Sequence, residues 1–291
     1  MDNVLLQVIC NMILGFLGKG GSGKSSVSSQ MALFLSEQKK SVLAIDADHN
    51  MDLSYNLSGG KIPSLHYFSQ SLGDLQKAVG LQDGEKYTEA FLKDAKVRFL
   101  LTPLSGEIDA YSYVLNNNIR LMTAGPQTDT VLYGKACSHS LTTPLKILLP
   151  LLELQENEVV VVDEKAGADG VSTGIVTGID VGVIVCEPTL HSVKTVKQIV
   201  ELMDFYETPH VFVGNKITSS EDRDFIVEQL EQEPVAFLME SVHMKRNPSS
   251  LVSEWSDDLQ TIFDATLGLN QNDRLDRTLE KFRRNREFAH V

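Results

Sequence analysis

The chain has 291 residues, 42% of them hydrophobic and 22% charged, with a formal net charge of −13. That length supports one large α/β domain with at most an appendage. A near-zero mean hydropathy and no uninterrupted apolar run of spanning length argue against a transmembrane segment, and the negative charge repels polyanions, which argues against DNA or an anionic membrane as a general partner.

Residues 1–11 hold a short apolar run without a basic start or a small-residue cleavage site. They read as an N-terminal extension rather than a signal peptide. The 3 cysteines, Cys10, Cys137 and Cys186, are too few and too scattered for a disulfide framework, which fits a cytoplasmic, reducing location.

Met12 to Leu17 reads as a buried strand, followed by a glycine-rich loop and a helix with Val27, Met31, Phe34 and Leu35 on one face. Ser41–Asp46 and Glu158–Asp163 are two further apolar strands that end in acid. Val181–Cys186 and His210–Gly214 continue the series, with a helical stretch over 192–206 between them. Cys186 is most simply a core residue.

Continuous β-branched runs alternating with helices predict an α/β fold of three layers whose mainly parallel central sheet is covered by helices on both faces, and the motif Gly18-x-x-x-x-Gly23-Lys24-Ser25 between the first strand and helix makes it a P-loop NTPase fold. The domain is expected over 12–270, with an insertion over 55–120 that holds a candidate strand at Ile119–Met122. Residues 271–291 are expected to form a C-terminal amphipathic helix carrying Leu275, Leu279 and Phe282 on its apolar face.

The loop Gly18-Lys19-Gly20-Gly21-Ser22-Gly23-Lys24-Ser25 fits the pattern G-x-x-x-x-G-K-[ST] between a strand and a helix. Glycines let successive N–H groups face one anion, and the helix that follows adds its positive end. Gly18, Gly20, Gly21, Ser22, Gly23, Lys24, Ser25 and Ser26 are therefore the expected nucleotide-binding residues. Lys24 is expected to reach the β- and γ-phosphates, and Ser25 to ligate Mg²⁺.

Asp46 and Asp48 at the end of one strand, and Asp163 at the end of another, can orient water or hydrated Mg²⁺, although each acid alone could equally serve as a helix cap or turn residue. Gly214-Asn215-Lys216-Ile217-Thr218 has the Asn-Lys of a guanine-binding loop, with Thr218 where guanine recognition needs a carboxylate. Adenine, and hence ATP, is favoured.

Lys19 is a second lysine within the loop. The pattern Lys19-Gly20-Gly21-x-Gly23-Lys24-Ser25 resembles the deviant Walker A loop of the MinD/ParA/nitrogenase-iron-protein group. The resemblance implies a homodimer in the ATP state, with Lys19 acting on the ATP of the partner as an arginine finger would. It also implies that Asp48 positions the attacking water, that Asp46 and Asp163 hold Mg²⁺ directly or through water, and that Ala166-Gly167 forms a switch whose Gly167 N–H senses the γ-phosphate. Asn215 would meet the adenine edge, a strand-end turn being the plainer alternative.

Val42–Asp48, Val97–Leu104, Leu121–Pro126 and Asp163–Gly167 are similar to the CooC branch of that group, ATPases that help insert nickel into carbon monoxide dehydrogenase. That branch carries a Cys-x-Cys metal motif. Here Cys137-Ser138-His139 takes its place. Cys137 and His139 could still form half of a shared transition-metal site, and the simpler reading makes them loop residues ahead of a helix started by Thr143 and Pro144. Lys165 is a second departure, at a position where the branch usually has glutamate.

The expected function is an ATP-binding and ATP-hydrolysing dimeric switch that acts on a client or activator protein. Two alternatives stay open. One is a partitioning or positioning ATPase that attaches to DNA or membrane through Arg274, Arg277, Lys281, Arg283, Arg284 and Arg286. The other is a regulator that binds nucleotide without hydrolysing it.

Overall fold

The computed structural model describes residues 11–61, 66–82, 84–88, 97–127, 133, 141–172, 174–271 and 273–288. Cys10, Cys137 and His139 lie outside the described residues. The described residues hold ten strands in chain order: β1 (Met12–Gly18), β2 (Ser41–Asp46), β3 (Phe99–Leu100), β4 (Ser112–Val114), β5 (Ile119–Thr123), β6 (Leu152–Glu153), β7 (Glu158–Asp163), β8 (Val181–Cys186), β9 (His210–Ile217) and β10 (Ala236–Met239). Among the described residues, eight of them form one sheet in the order β10-β9-β8-β1-β7-β2-β5-β4. Only the edge strand β4 runs antiparallel to its neighbour.

The valine-rich runs of the central strands are continuous because both faces of the sheet are covered. Ile13, Leu17, Leu43, Ile45, Val160, Val162 and Ile184 belong to one core cluster. Met12, Leu14, Phe16, Val42, Ala44, Val159, Val161, Val183 and Val185 belong to the other. The alternation is the period of two that a strand imposes, and each fully buried Val, Leu or Phe contributes about 1.5–3 kcal/mol.

Helix α1 (Lys24–Glu37) and a helix over Ser256–Leu267 cover the second face with Val27, Met31, Leu259 and Ile262. Helices over Leu145–Leu151 and Leu190–Phe205 cover the first, the latter through Val193, Val196, Ile199 and Met203.

The C-terminal helix Arg274–Phe288 lies on the first face, with Phe282 buried and Leu275 and Leu279 packed beside it. Arg274 Nη1 donates to Asp180 Oδ1 at 3.0 Å, and Asp180 Oδ2 accepts the Ile13 N–H at 2.7 Å. The helix is thereby tied to the start of β1, the strand that feeds the glycine-rich loop.

The candidate strand at Ile119–Met122 is β5, which pairs in register with β2 from Val42–Ile119 to Asp46–Thr123, with β4 beside it at the sheet edge. One boundary differs from the sequence pattern. Strand β9 runs on past Gly214 to Ile217, because Ile217 still pairs with Met239 of β10 across an irregularity in the ladder. Asn215 and Lys216 are therefore strand residues, not loop residues, and Lys216 marks the irregularity with a left-handed φ of 59°.

Candidate functional site

The sheet order decides what surrounds the glycine-rich loop. Strand β1 lies between β7 and β8, with β2 beyond β7 and β9 beyond β8. The carboxyl ends of these parallel strands open at one edge, where α/β sheets place their ligand crevices. Asp163, Asp46, Glu187 and Asn215 are thus carried to the loop that follows β1.

The loop is shaped by close backbone approach. Gly23 has φ +88°, and a methyl group there would lie 2.2 Å from Asn215 Nδ2. That amide donates instead to the Ser22 carbonyl at 2.9 Å. Ser22 N–H closes a turn onto the Lys19 carbonyl at 3.0 Å, and the Ser26 and Val27 N–H groups begin α1 on Gly23 O at 3.0 and 2.9 Å.

Lys24 is 5% exposed. Its ammonium lies 2.6 Å from Asp163 Oδ1 and 3.4 Å from Ser25 Oγ. Burial alone would lower the lysine pKa, but Asp163, with Asp48 and Asp46 behind it, raises it.

Asp46 is fully buried and accepts the N–H groups of Ser54 at 2.7 Å and Asp48 at 3.3 Å. Burial, together with the adjacent Asp163 carboxylate, pushes its pKa up to about 7. Asp163 Oδ2 and Glu164 Oε1 are buried without a hydrogen-bond partner among the described residues. Burial raises Glu164 to about 8, against the attraction of Lys24. Asp48 is held by the Asn50 N–H at 3.2 Å and His49 Nδ1 at 3.3 Å.

A polar cleft of about 340 Å³ is lined by Lys19, Gly20, Gly21, Gly23, Lys24, Ser25, Ser26, Asp48, Asn50, Asp52, Asn56, Ala166 and Lys216. A smaller pocket of about 90 Å³ adjoins it through Gly23, Ser26 and Lys216, and adds Asn215, Met244 and Trp255. The first is lined by the glycine-rich loop and polar side chains; the second presents mainly apolar surface, with Glu240, Ser241 and Lys245 also in its lining.

Most residues named from the sequence meet here. The Gly167 N–H, expected to face a γ-phosphate, instead donates to the Gly18 carbonyl at 2.9 Å. Thr218 is tied to Asp222 Oδ2 through its N–H at 2.8 Å and its hydroxyl at 2.6 Å, at the start of a helix over Ser220–Leu230. Cys186 is buried in β8.

Sequence reasoning missed Glu164, Glu187 and the contact of Lys216 with the loop. Glu187 did carry a signal, being an acid just beyond a buried parallel strand, like Asp46 and Asp163. No group of three or more His, Cys, Asp or Glu side chains forms a metal cluster among the described residues, and no helix among them is long and apolar enough to cross a membrane.

A parallel sheet covered on both faces, with a G-x-x-x-x-G-K-S loop between β1 and α1 and acids at the neighbouring strand ends, defines a P-loop nucleotide-binding protein. The chain belongs to the CobQ/CobB/MinD/ParA nucleotide binding domain family, whose pattern it matches over residues 13–254. It is 28% identical over 226 residues to an ATP-binding protein of Methanocaldococcus jannaschii, covering 77% of this chain and 86% of that one. It is 26% identical over 224 residues to the carbon monoxide dehydrogenase accessory protein CooC of Rhodospirillum rubrum, covering 76% and 80%.

Solved structures share the fold. A ParA family ATPase from Chlorobium tepidum matches with a TM-score of 0.58 at 18% identity, covering 90% of this chain and 99% of that one. The cell division ATPase MinD of Pyrococcus furiosus matches with a TM-score of 0.56 at 17% identity, covering 93% and 98%.

Proposed function

We propose that the chain is an ATP-hydrolysing switch that dimerises around nucleotide and acts on a protein partner. The observation that carries this reading is the buried Lys24–Asp163 pair beside Ser25, with a second loop lysine, Lys19, 33% exposed at the rim of the same cleft. A polyphosphate entering the cleft meets the loop amides of residues 20–25 and draws Lys24 from Asp163. Catalysis is then positioning and charge neutralisation. Asp48, which lines the cleft, orients the attacking water, and Lys19, which rests on Glu187 of its own chain, would leave it to reach a second subunit's phosphates.

The donor set suits Mg²⁺. Ser25 Oγ, Asp163 with its unpartnered Oδ2, and Asp46 are hard oxygen ligands, too few for an all-protein cage and sufficient with phosphate and water. Mg²⁺ held there would offset the negative charge of the phosphates. In the adjoining pocket the Asn215 Nδ2 is engaged by Ser22, which leaves Oδ1 to accept from the adenine amino group. Gly167 would have to leave Gly18 before its N–H could meet a phosphate, so nucleotide sensing would require the switch after β7 to move.

The DNA- or membrane-attachment reading finds less support. Arg274, Arg277 and Arg284 are engaged by Asp180, Asp273 and Glu207 with Glu280 within the fold. Phosphate release by wild type and Lys24→Ala, alongside light scattering of wild type and Lys19→Ala with a slowly hydrolysed ATP analogue, tests the proposal. Equal phosphate release by wild type and Lys24→Ala would sink the hydrolysis; a strictly monomeric wild type would sink the dimer.

A further inference from the structure

Glu187 stands just past β8, its N–H bonded to Ser192 Oγ at 3.1 Å at the start of the next helix. Its side chain is only 12% exposed and meets two lysines. Oε1 accepts from Lys19 Nζ at 3.3 Å, and Oε2 from Lys216 Nζ at 2.8 Å. Lys216 reaches it from the left-handed kink in β9 and also donates to the Gly21 carbonyl of the glycine-rich loop. It lines both the polar cleft and the apolar pocket beside it. No other carboxylate forms a close ion pair with either lysine among the described residues, although Glu240 is near enough to Lys216 to be drawn by its charge.

We propose that Glu187 is an internal counter-ion that holds Lys216 and Lys19 in the nucleotide-free protein and yields them to polyphosphate, which makes Lys216 a nucleotide-contacting residue. This rests on the nucleotide-binding reading above.

The chemistry favours exchange. One carboxylate offers a single negative charge to two ammonium groups, whereas a triphosphate offers several charges and many acceptor oxygens to the same cations. The lysines are 33% and 43% exposed, so their pairs with Glu187 are screened and easily broken. Burial would raise the Glu187 pKa, but Lys216 and Lys19 pull it lower, so the counter-ion stays charged at neutral pH. Lys24 is already paired with Asp163; without Glu187, Lys19 and Lys216 would add two uncompensated cations to the same loop. With Glu187 in place, Lys19 is turned toward its own subunit until nucleotide arrives, and polyphosphate binding and release of Lys19 become one event.

The test is titration of the full chain with mant-ATP and mant-ADP in Mg²⁺, for wild type, Glu187→Gln, Lys216→Met and the double variant, with circular dichroism reporting the fold. Glu187→Gln is expected to tighten mant-ATP about three- to tenfold, and mant-ADP by less. Lys216→Met is expected to weaken mant-ATP at least fivefold, and in the double variant most of the gain from Glu187→Gln disappears. Unchanged or weaker binding by folded Glu187→Gln overturns the counter-ion role. Unchanged binding by Lys216→Met overturns the nucleotide contact, and is read independently should Glu187→Gln not fold. A wild type that binds no mant-nucleotide refutes the nucleotide reading itself, a different result from a wild type that binds while both variants match it.

Discussion

Replacing Glu164 by glutamine should flatten the pH dependence of stability in the nucleotide-free protein. Glu164 is 1% exposed, with Oε1 unpartnered, and its pKa rises from 4.5 to about 8. At pH 6 the folded chain keeps this proton, whereas the unfolded chain has lost it. Folding therefore takes up a proton, and stability falls as pH rises from 4.5 toward 8. Two pH units within that window, at 1.36 kcal/mol each, come to about 2.7 kcal/mol between about pH 6 and about pH 8.

Asp46, raised to about 7, adds about 1.4 kcal/mol of the same sign below pH 7. Lys24, raised from 10.5, keeps its proton in both states across this range and contributes no slope. Urea unfolding at about pH 6 and about pH 8.5, with m held common, should show wild type losing about 4 kcal/mol and Glu164→Gln about 1.4 kcal/mol. Equal losses would refute the claim that the folded chain holds a proton on Glu164.

Four further outcomes follow from the contacts. Lys24→Met leaves the buried Asp163 without its cation and should destabilise the chain by about 3–5 kcal/mol at pH 8, measured by urea midpoint. Gly23→Ala puts a methyl into the Asn215 amide at a φ of +88°; it should weaken ATP at least tenfold by mant-ATP titration, and wild-type affinity would mean that the loop relaxes freely. Arg274→Ala strips the fully buried Asp180 of its partner and should cost about 3 kcal/mol of stability, a loss below 1 kcal/mol showing that Ile13 alone satisfies the acid. Asn215→Ala removes the brace on Ser22 and the proposed adenine acceptor, and should reduce discrimination between ATP and GTP by about tenfold in competition binding.

The parts of the molecule written in local sequence are legible from the sequence alone. Met12–Gly18, Ser41–Asp46, Glu158–Asp163 and Val181–Cys186 are strands because unbroken β-branched runs of that length suit a sheet buried on both faces. The glycine-rich loop follows from Gly18 to Ser25 because each glycine and the Lys-Ser pair lie within one turn of chain. Asp46 and Asp163 were readable as acids closing buried strands.

What lay beyond local reach is the set of partners contributed by other strands. That Gly167 bonds Gly18, that Asn215 braces Ser22, and that Glu187 joins Lys19 to Lys216 depend on β1 sitting between β7 and β8, with β9 one strand further on. Strand order is a long-range choice, set by how the crossover helices pack on the two faces, and a period of two carries no record of which strand is whose neighbour. The sequence by itself determined that a phosphate loop exists and which lysines it holds; the tertiary structure alone decided which carboxylates those lysines meet.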